Sequence, residues 1–312
     1  SMTGLQAGIH TDTSHGRARI DRVEGDRIAR EIGAGNIVVV AGFQGFTWDL
    51  DVTTLGRGGS DTTAVALAAA LNAERCEVYT DVEGIYTADP RIVSRAQKLD
   101  EITYEEMLEL AAYGAKMHPR SVELAAVYNV PIYVASSFTD APGTLIHGDR
   151  QMMENRVKVT GVAYDRKVAK ITLRDVPDSP GVAAALFEPL SEIGISVDTI
   201  VQNTGLEQHS DISFTVARAD LEEAVGRVRP VADSMKAREL TTDDSLSKVS
   251  IVGAGMLNTP GYASTMFRGL AEAGINIDMI TTSEIRITCI VSEALVEEAV
   301  KVLHKAFQLE EA

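Results

Sequence analysis

The chain has 312 residues, of which 45% are hydrophobic and 24% charged, and it carries a formal net charge of −16. This length predicts more than one domain, since single domains typically hold roughly 100 to 200 residues. The negative charge argues against nucleic acid and anionic membrane surfaces as partners, and no apolar run approaches the roughly 20 residues of a membrane-spanning helix.

The two cysteines, Cys76 and Cys289, lie far apart in apolar, strand-like runs. They provide neither a disulfide framework nor metal-ligand spacing, and the six histidines form no cluster with cysteines or carboxylates. The first residues show none of the features of an export leader. We therefore expect a cytoplasmic protein without a resident metal site.

The first half of the chain alternates strand-like and helix-like segments, which is typical of a mostly parallel sheet covered by helices. Apolar or β-branched runs predict strands at residues 36–43, 76–82 and 130–136. Helical spacing or alanine-rich composition predicts helices at residues 60–72, 104–115 and from about residue 119. The polar stretch 147–156 predicts the boundary of a first domain that spans residues 1–150.

The second half repeats itself, because Pro180-Gly181 returns as Pro260-Gly261, 80 residues further along the chain, in a register that holds without a gap. Each copy predicts a strand, a Pro-Gly turn that starts a helix, two more strands and a closing helix. This β-α-β-β-α order indicates two ferredoxin-like modules.

Residues 53–61 form a glycine-rich segment directly before a helical run, with the sequence Thr-Thr-Leu-Gly-Arg-Gly-Gly-Ser-Asp. Glycines permit a sharp turn and a close approach to a ligand, and the N–H groups of a helix start attract anions. An isolated Gly-Gly-Ser-Asp is more often a plain turn in which Ser60 or Asp61 caps the helix. A binding site at this segment would suit a carboxylate or a phosphate.

Residues 79–91 leave the end of a predicted strand and enter a turn-rich loop. Ligands of open α/β sheets bind outside the carboxyl ends of the strands, so this location favours a binding role. Tyr86 on its own would more often be a packing residue. Lys116 follows a predicted helix, where the helix dipole by itself favours a lysine.

Together with residues 41–45, these segments resemble the aspartate kinases of the broader amino-acid kinase family. The resemblance implies phosphorylation of the side-chain carboxylate of L-aspartate by ATP, with Mg²⁺ bridging the phosphates, as the first step of lysine, threonine and methionine biosynthesis. It implies that Arg57 pairs with the α-carboxylate of aspartate as a bidentate fork and that Asp61 faces its ammonium group. The substrate-binding residues implied by the resemblance are Thr54, Arg57, Gly58, Gly59, Ser60 and Asp61. The implied ATP-binding residues are Thr80, Asp81, Gly84, Tyr86, Arg91 and Lys116.

The chain departs from the family pattern in two places. The family has one further residue between the lysine at 116 and the pair His118-Pro119. It also has a Lys-x-Gly-Gly phrase on its first strand, which is missing here because residues 1–20 resemble a segment well inside the kinase domain. We expect that the chain comes from a working enzyme and contains only the later part of its kinase domain. A natural short form and a regulatory pseudokinase are the alternatives, and the isolated chain could be inactive.

Both copies of the repeat resemble ACT modules, the small ligand-sensing domains of many amino-acid biosynthetic enzymes. The first would span residues 166–240, and the second would combine residues 158–164 with residues 247–312, so that the first is nested within the second. We expect lysine, threonine or both as effectors, and a homodimer or larger oligomer formed through the modules. The implied effector-binding residues are Asp178, Gly181, Val182, Ala183, Gln202, Asn203, Asn258, Gly261, Tyr262, Ala263, Ile280, Thr281, Ser283 and Glu284.

Three other interpretations remain at this point. The modules could pack without sensing any ligand. The enzyme could act on glutamate or its acetylated form, although paired ACT modules argue against that substrate. The chain could also be a non-catalytic regulatory subunit that binds amino acids and modulates a full-length kinase.

Overall fold

The computed structural model describes residues 1–148, 159–204, 209–256 and 259–311. These residues form an α/β structure with an N-terminal region at residues 1–148, followed by two smaller modules. No helix within these ranges is long and apolar enough to cross a membrane.

The N-terminal region contains two four-stranded sheets and four helices. Its elements in chain order are β1 (Ile9–Thr11), β2 (Ile20–Val23), α1 (Asp26–Gly33), β3 (Gln44–Phe46), β4 (Val52–Thr54), α2 (Gly59–Ala70), β5 (Cys76–Thr80), β6 (Glu101–Thr103), α3 (Tyr104–Ala112), α4 (Pro119–Tyr128), β7 (Ile132–Ser136) and β8 (Thr144–His147).

The two sheets have the strand orders β2-β1-β3-β4 and β5-β7-β8-β6. Parallel pairs, such as β5 with β7 and β6 with β8, alternate with antiparallel ones. Thr80 at the end of β5 lies opposite Ser136 at the end of β7. The loops that follow these two strands therefore leave from the same edge of the sheet.

The prediction of a strand at residues 36–43 is wrong. Only Val40 makes an isolated bridge, parallel to Met2, and the side chain of Ile37 is 94% exposed. The β-branched composition favours an extended conformation, but a strand also needs a partner along its length. Within the described residues, Met2 alone provides one.

Two helices of this region begin at well-formed caps. Thr103 and Glu106 form a reciprocal capping box at the start of α3. At the start of α4, the Nδ1 atom of His118 accepts a hydrogen bond from the backbone N–H of Arg120 at 3.3 Å, and Pro119 occupies the first helical position. Both helices pack in one apolar core with the second sheet, represented by Met107, Val122 and Ile132.

The two modules follow the predicted β-α-β-β-α order. The elements in chain order are β9 (Gly161–Asp165), β10 (Val168–Pro177), α5 (Val182–Glu192), β11 (Ile200–Thr204), β12 (His209–Ala217), α6 (Leu221–Ser234), β13 (Glu239–Asp243), β14 (Leu246–Val252), α7 (Tyr262–Glu272), β15 (Met279–Thr282), β16 (Arg286–Ser292) and α8 (Val296–Ala306).

The first module has the sheet order β11-β12-β10-β13, and the second has the order β15-β16-β14-β9. Because β9 precedes the first module in sequence yet pairs antiparallel with β14, the first module is nested within the second, as expected. The exact domain boundaries stay a prediction, and the expected junction at residues 149–158 lies outside the described residues.

Two reciprocal ion pairs join the modules. Lys170 on β10 binds Asp278, just before β15, at 2.5 Å, and Lys248 on β14 binds Asp198, just before β11. Each module thus donates its lysine to the carboxylate of the other. The pairs differ in burial, because the side chain of Lys248 is 4% exposed and that of Lys170 is 20% exposed.

The second module also packs against α3 through a buried carboxylate. The Oε1 atom of Glu106 accepts hydrogen bonds from the hydroxyl of Thr160 at 2.6 Å and from the backbone N–H of Ala254 at 2.9 Å. Its other oxygen closes the capping box with Thr103. One side chain therefore both starts α3 and holds the second module against it.

Further along α3, a second polar contact continues the same interface. Glu109 forms an ion pair with Arg286 at 2.7 Å, and both side chains are mostly buried. The hydroxyl of Tyr113 lies 3.3 Å from that of Thr288, and the guanidinium of Arg286 lies over the Tyr113 ring. The whole length of α3 is therefore in contact with the second module.

We predict that Glu106→Ala lowers the free energy of unfolding by about 1–3 kcal/mol, because it removes the buried capping box with Thr103 and leaves the partly buried bonds from Thr160 and Ala254 without their acceptor. The matched control is Glu105→Ala, which removes an exposed carboxylate from the same helical turn. Urea-induced unfolding of both variants tests this. Equal stability of the two variants would contradict the assigned role of Glu106.

Candidate functional site

The turn before α2 brings its backbone against the imidazole of His118. Gly58 has a φ of +70°, and a Cβ atom at this position would lie 2.2 Å from the Cγ atom of His118. A side chain at residue 58 is therefore excluded both by the backbone conformation and by the neighbouring ring. The contact places the start of α2 directly beside the start of α4.

Residues 42–45 line the other side of this turn. The backbone carbonyl of Phe43 accepts a hydrogen bond from Leu55 at 3.0 Å, and its N–H group donates to the hydroxyl of Thr63 at 3.1 Å. A Cβ atom at Gly59 would lie 2.9 Å from the Phe43 ring. Residues 42–45 and the glycine-rich segment at residues 53–61 are thus in direct contact.

Arg120 fixes the turn from the side of α4, a role that sequence reasoning missed. Its guanidinium donates to the backbone carbonyl of Leu55 at 2.7 Å and to that of Ala18 at 3.0 Å. The signal in the sequence was its position directly after His118-Pro119, within the phrase that carries Lys116.

Asp61, in the first turn of α2, faces two basic side chains. Partial burial raises the pKa of its carboxyl group, while His118 and Lys116 and a hydrogen bond from Ser60 act in the opposite direction. The effect of burial on this pKa is the larger one, so the neighbouring groups offset only part of the cost of keeping the carboxylate charged. A cation that binds beside it would gain from the interaction.

Lys116 connects this turn to the segment after β5. Its ammonium group forms an ion pair with Asp81, and hydrogen bonding to Lys116 lowers the pKa of that carboxyl group. Asp81 also accepts a hydrogen bond from the hydroxyl of Thr80 at 3.1 Å. The two segments singled out in the sequence therefore meet at Lys116.

Arg57 and Ser60 are exposed at the mouth of this arrangement. Within the described residues, Arg57 has no hydrogen bond or ion pair, and its positive charge helps to lower the pKa of His118. Thr54 lies at the end of β4, where its backbone carbonyl accepts a hydrogen bond from Ala18. The substrate-binding residues expected from the sequence thus form one continuous group.

The middle of the segment at residues 79–91 is packed against the rest of the protein. A Cβ atom at Gly84 would lie 2.3 Å from the Thr144 hydroxyl, which also accepts the N–H of Ile85 at 2.9 Å. Tyr86 is half-buried, and burial followed by the charge of Glu83 raises the pKa of its hydroxyl. This segment is therefore anchored at its centre.

Arg91 and Lys116 bind different carboxylates. Its guanidinium forms a two-pronged ion pair with Asp89, with an Nη2–Oδ2 distance of 2.7 Å, and its side chain is 85% exposed. Asp89 also accepts a hydrogen bond from the hydroxyl of Tyr164 on β9 at 3.3 Å. No hydrogen bond or ion pair among the described residues joins Arg91 to Asp81 or Lys116.

The cysteines and acidic groups do not form a second centre. Burial raises the pKa of Cys76 to about 11 and that of Cys289 to about 12, so both thiols stay neutral. In the described part of the chain, no group of three or more His, Cys, Asp or Glu side chains is placed to hold a metal ion.

The expected effector residues are distributed over both modules. Gly181 and Gly261 occupy equivalent positions before α5 and α7, with φ values of +97° and +112°. Val182, Ala183, Tyr262 and Ala263 lie in the first turns of these helices, and Asp178 precedes the first of them. Gln202 and Asn203 lie on β11, Ile280 and Thr281 on β15, and Ser283 and Glu284 follow it. Asn258 lies outside the described residues.

A cavity of about 290 Å³ lies between the modules. It brings Asn203 of the first module together with Ile280 of the second, beside the ion pair of Lys170 and Asp278. Gly261 and Tyr262 instead line a separate cavity of about 480 Å³ with Phe307. Residues that the repeat places on one face of the second module therefore line two different cavities.

Comparison with known protein families matches the amino acid kinase family at residues 1–136 and the ACT domain at residues 174–229 and 249–307. The aspartate kinase of Stutzerimonas stutzeri is 50% identical over 311 residues, covering 99% of this chain and 76% of that protein. The aspartokinase of Mycobacterium tuberculosis is 46% identical over 315 residues, covering 99% of this chain and 75% of that protein.

Solved structures show the same relationship. E. coli aspartokinase III in complex with aspartate and ADP superimposes with a TM-score of 0.80 at 29% identity, covering 98% of this chain and 69% of that chain. The aspartate kinase of Clostridium acetobutylicum superimposes with a TM-score of 0.82 at 26% identity, covering 98% and 70%.

We predict that Gly58→Ala destabilises the chain by about 1–3 kcal/mol, since the new methyl group meets the His118 ring at a left-handed backbone position. Gly33→Ala is the control, because Gly33 lies in α1 with open space around it and alanine is favoured there. Thermal unfolding distinguishes them: Gly58→Ala should unfold at a lower temperature than the wild-type chain, and Gly33→Ala should not. A Gly58→Ala variant as stable as wild type would contradict the contact.

Proposed function

The chain belongs to the aspartate kinase family, and we propose that it transfers a phosphoryl group from ATP to the side-chain carboxylate of L-aspartate under feedback control by an amino acid. The product is 4-phospho-L-aspartate, the entry to lysine, threonine and methionine biosynthesis. The observation that carries the proposal is the convergence of the Asp61 turn and the Asp81 segment on one lysine, Lys116.

The turn at residues 56–61 has the chemistry needed to hold an amino acid by its two charged ends. Arg57 offers a planar guanidinium that has no hydrogen-bond or ion-pair partner among the described residues, which suits bidentate binding of the α-carboxylate. Asp61 offers a carboxylate whose pKa is raised by burial, so an ammonium group beside it is favourable. Ser60 lies between them and donates a hydrogen bond to Asp61.

The segment at residues 80–91 has the chemistry needed to hold a nucleotide. Thr80 and Asp81 stand at the carboxyl end of β5, and Tyr86 offers an aromatic ring at the centre of an anchored loop. Lys116, held by Asp81 in this structure, is the cation positioned between the two segments. We infer that it exchanges this carboxylate for the ATP phosphates and helps to neutralise charge that develops during transfer.

Mg²⁺ fits this arrangement as a companion of ATP. The described residues offer no cluster of three protein ligands, and Mg²⁺ usually retains several waters and binds through phosphates with one or two carboxylates. Asp81 is the exposed carboxylate at the nucleotide segment that would face it. The chemistry that Mg²⁺ would supply there is neutralisation of part of the phosphate charge.

The cavity between the modules supports control by an amino acid. Lys170 and Asp278 supply opposite charges at its wall, and Val201, Ile277 and Met279 supply apolar surface, which together suit a zwitterion with an aliphatic portion. The edge strands β11 and β15 carry the exposed side chains of Ile200 and Ile280, which favours association of modules from two chains. Lysine and threonine are the proposed effectors, and a homodimer is the proposed assembly.

For the substrate site, we predict that Arg57→Ala weakens aspartate binding on the order of 10- to 100-fold, because a charge-assisted bidentate contact is lost. Arg57→Lys should restore only part of the affinity. Isothermal calorimetry measures both, and Arg27→Ala, which removes an exposed arginine of α1, is the control. Unchanged affinity in Arg57→Ala would rule out this substrate site.

A coupled assay for aspartate-dependent ADP release, with the chain alone and mixed with an intact aspartate kinase, tests the reaction. Activity of the chain alone supports catalysis. A chain that is inactive alone but changes the effector response of the intact enzyme would instead be a regulatory subunit.

For the effector site, we predict that lysine or threonine binds the chain with measurable heat and that Asn203→Ala weakens this binding by about 2- to 10-fold, through loss of a hydrogen bond. Asn36→Ala, on the exposed surface of the N-terminal region, should bind like wild type. Absence of heat with both amino acids would contradict the proposed control.

A further inference from the structure

His304 is a completely buried polar residue on α8 of the second module. Its Nε2 atom lies 2.9 Å from the hydroxyl of Thr87, a residue 217 positions away in the chain. Thr87 directly follows Tyr86 in the proposed nucleotide segment. A side chain of the second module therefore contacts a side chain of the nucleotide segment directly.

The N–H, carbonyl and hydroxyl groups of Thr87 all form hydrogen bonds. Its N–H group donates to the carbonyl of Gln97 at 2.9 Å, and its hydroxyl accepts the N–H of Gln97 at 3.0 Å. Its carbonyl accepts the N–H of Val162, on β9, at 2.7 Å. With these groups engaged, the hydroxyl hydrogen is available to donate to His304, which requires a neutral imidazole.

The surroundings of His304 are consistent with a neutral ring. Burial lowers the pKa of His304, while the charge of Glu310 acts in the opposite direction. Glu310 is itself paired with Arg95 at 2.9 Å, which links the chain just after the nucleotide segment to the C-terminal end of the second module.

Packing alone does not account for a histidine at this position. The neighbouring core is apolar, and it includes Ala88 of the nucleotide segment and Val93, just after it, together with Leu303 and Leu309 of the second module. The Nδ1 atom of His304 is buried without a hydrogen-bond partner among the described residues. An unpaired buried nitrogen costs free energy that an aliphatic side chain would avoid, so the bond to Thr87 is the feature that requires a histidine.

We propose that His304 is a positioning residue of the nucleotide site: through Thr87 it fixes the backbone that orients Tyr86, so the second module directly sets the affinity for the adenine nucleotide. The inference rests on the proposed function in one respect, the contact of Tyr86 with the nucleotide. It assigns a residue of the regulatory half to the binding geometry of the kinase half.

The test uses the whole chain with His304→Leu, His304→Gln and Thr87→Val, and with Thr87→Ser as the hydroxyl-retaining control. ADP and aspartate binding are measured by calorimetry, and amide hydrogen exchange of residues 84–90 is measured without ligand. His304→Leu should weaken ADP binding by about 2- to 10-fold, the change expected for one neutral hydrogen bond. Thr87→Val should weaken it at least as much, because this change also removes the acceptor of the Gln97 N–H group. Aspartate affinity should stay within about twofold, since the substrate turn is not touched.

Three further results are expected. The double variant His304→Leu/Thr87→Val should bind ADP no more weakly than the worse single variant, because both changes remove the same bond. His304→Gln, which keeps a polar atom near the position of Nε2, should recover most of the affinity. Exchange of the amides at residues 84–90 should be faster in His304→Leu than in the wild-type chain and unchanged in Thr87→Ser.

Unchanged exchange at residues 84–90 in His304→Leu would overturn the inference. An equal loss of ADP and aspartate binding would also overturn it, because it would show a general structural role. If the wild-type chain binds no ADP, the proposed function fails, and the role of His304 at a nucleotide site fails with it. In that case faster exchange in His304→Leu would still show that the bond orders the segment, so the two failures can be told apart.

Discussion

The site depends on the close approach of Gly58 to the ring of His118. Because residue 58 has no side chain, the start of α2 lies directly against the start of α4, and Asp61 comes within the electrostatic reach of Lys116. The ion pair of Lys116 with Asp81 then adds the segment after β5. One steric constraint thus assembles charges from three separate parts of the chain, and a larger residue at position 58 would separate the helix starts that carry them.

The regulatory half is continuous with the kinase half at the level of packing. Ala88 of the proposed nucleotide segment and Val93, just after it, belong to the apolar core of the second module, and Glu106 of α3 is shared by hydrogen bonds with both halves. A change in the second module therefore alters contacts of the nucleotide segment itself. Coupling of this kind needs no hinge, because a ligand that favours one packing arrangement of the module changes the free energy of the attached segment.

The modules themselves are related by a repeat but are not equivalent. The pair of Lys248 with Asp198 places its lysine in the interior, where losing one partner would leave an uncompensated charge. The corresponding pair of Lys170 with Asp278 is more exposed and lies on the wall of a cavity. The buried pair is suited to holding the modules together, and the accessible pair is suited to exchanging its partner for the charged groups of a ligand.

The amino-acid sequence alone determined the α/β class and the repeated modules, because hydrophobic periodicity, glycine turns and a fixed offset are local or repetitive features. The family and the nesting of one module within the other were expected from the resemblance of its motifs to a known family. Only the tertiary structure decided that residues 36–43 form a single bridge instead of a strand, that Arg91 pairs with Asp89, and that His304 contacts Thr87. Whether a strand forms depends on a partner, and which side chain reaches an arginine or a threonine depends on how distant segments pack. A local sequence pattern predicts neither of these, because the contacts join residues that are distant in the chain and adjacent only in the folded protein.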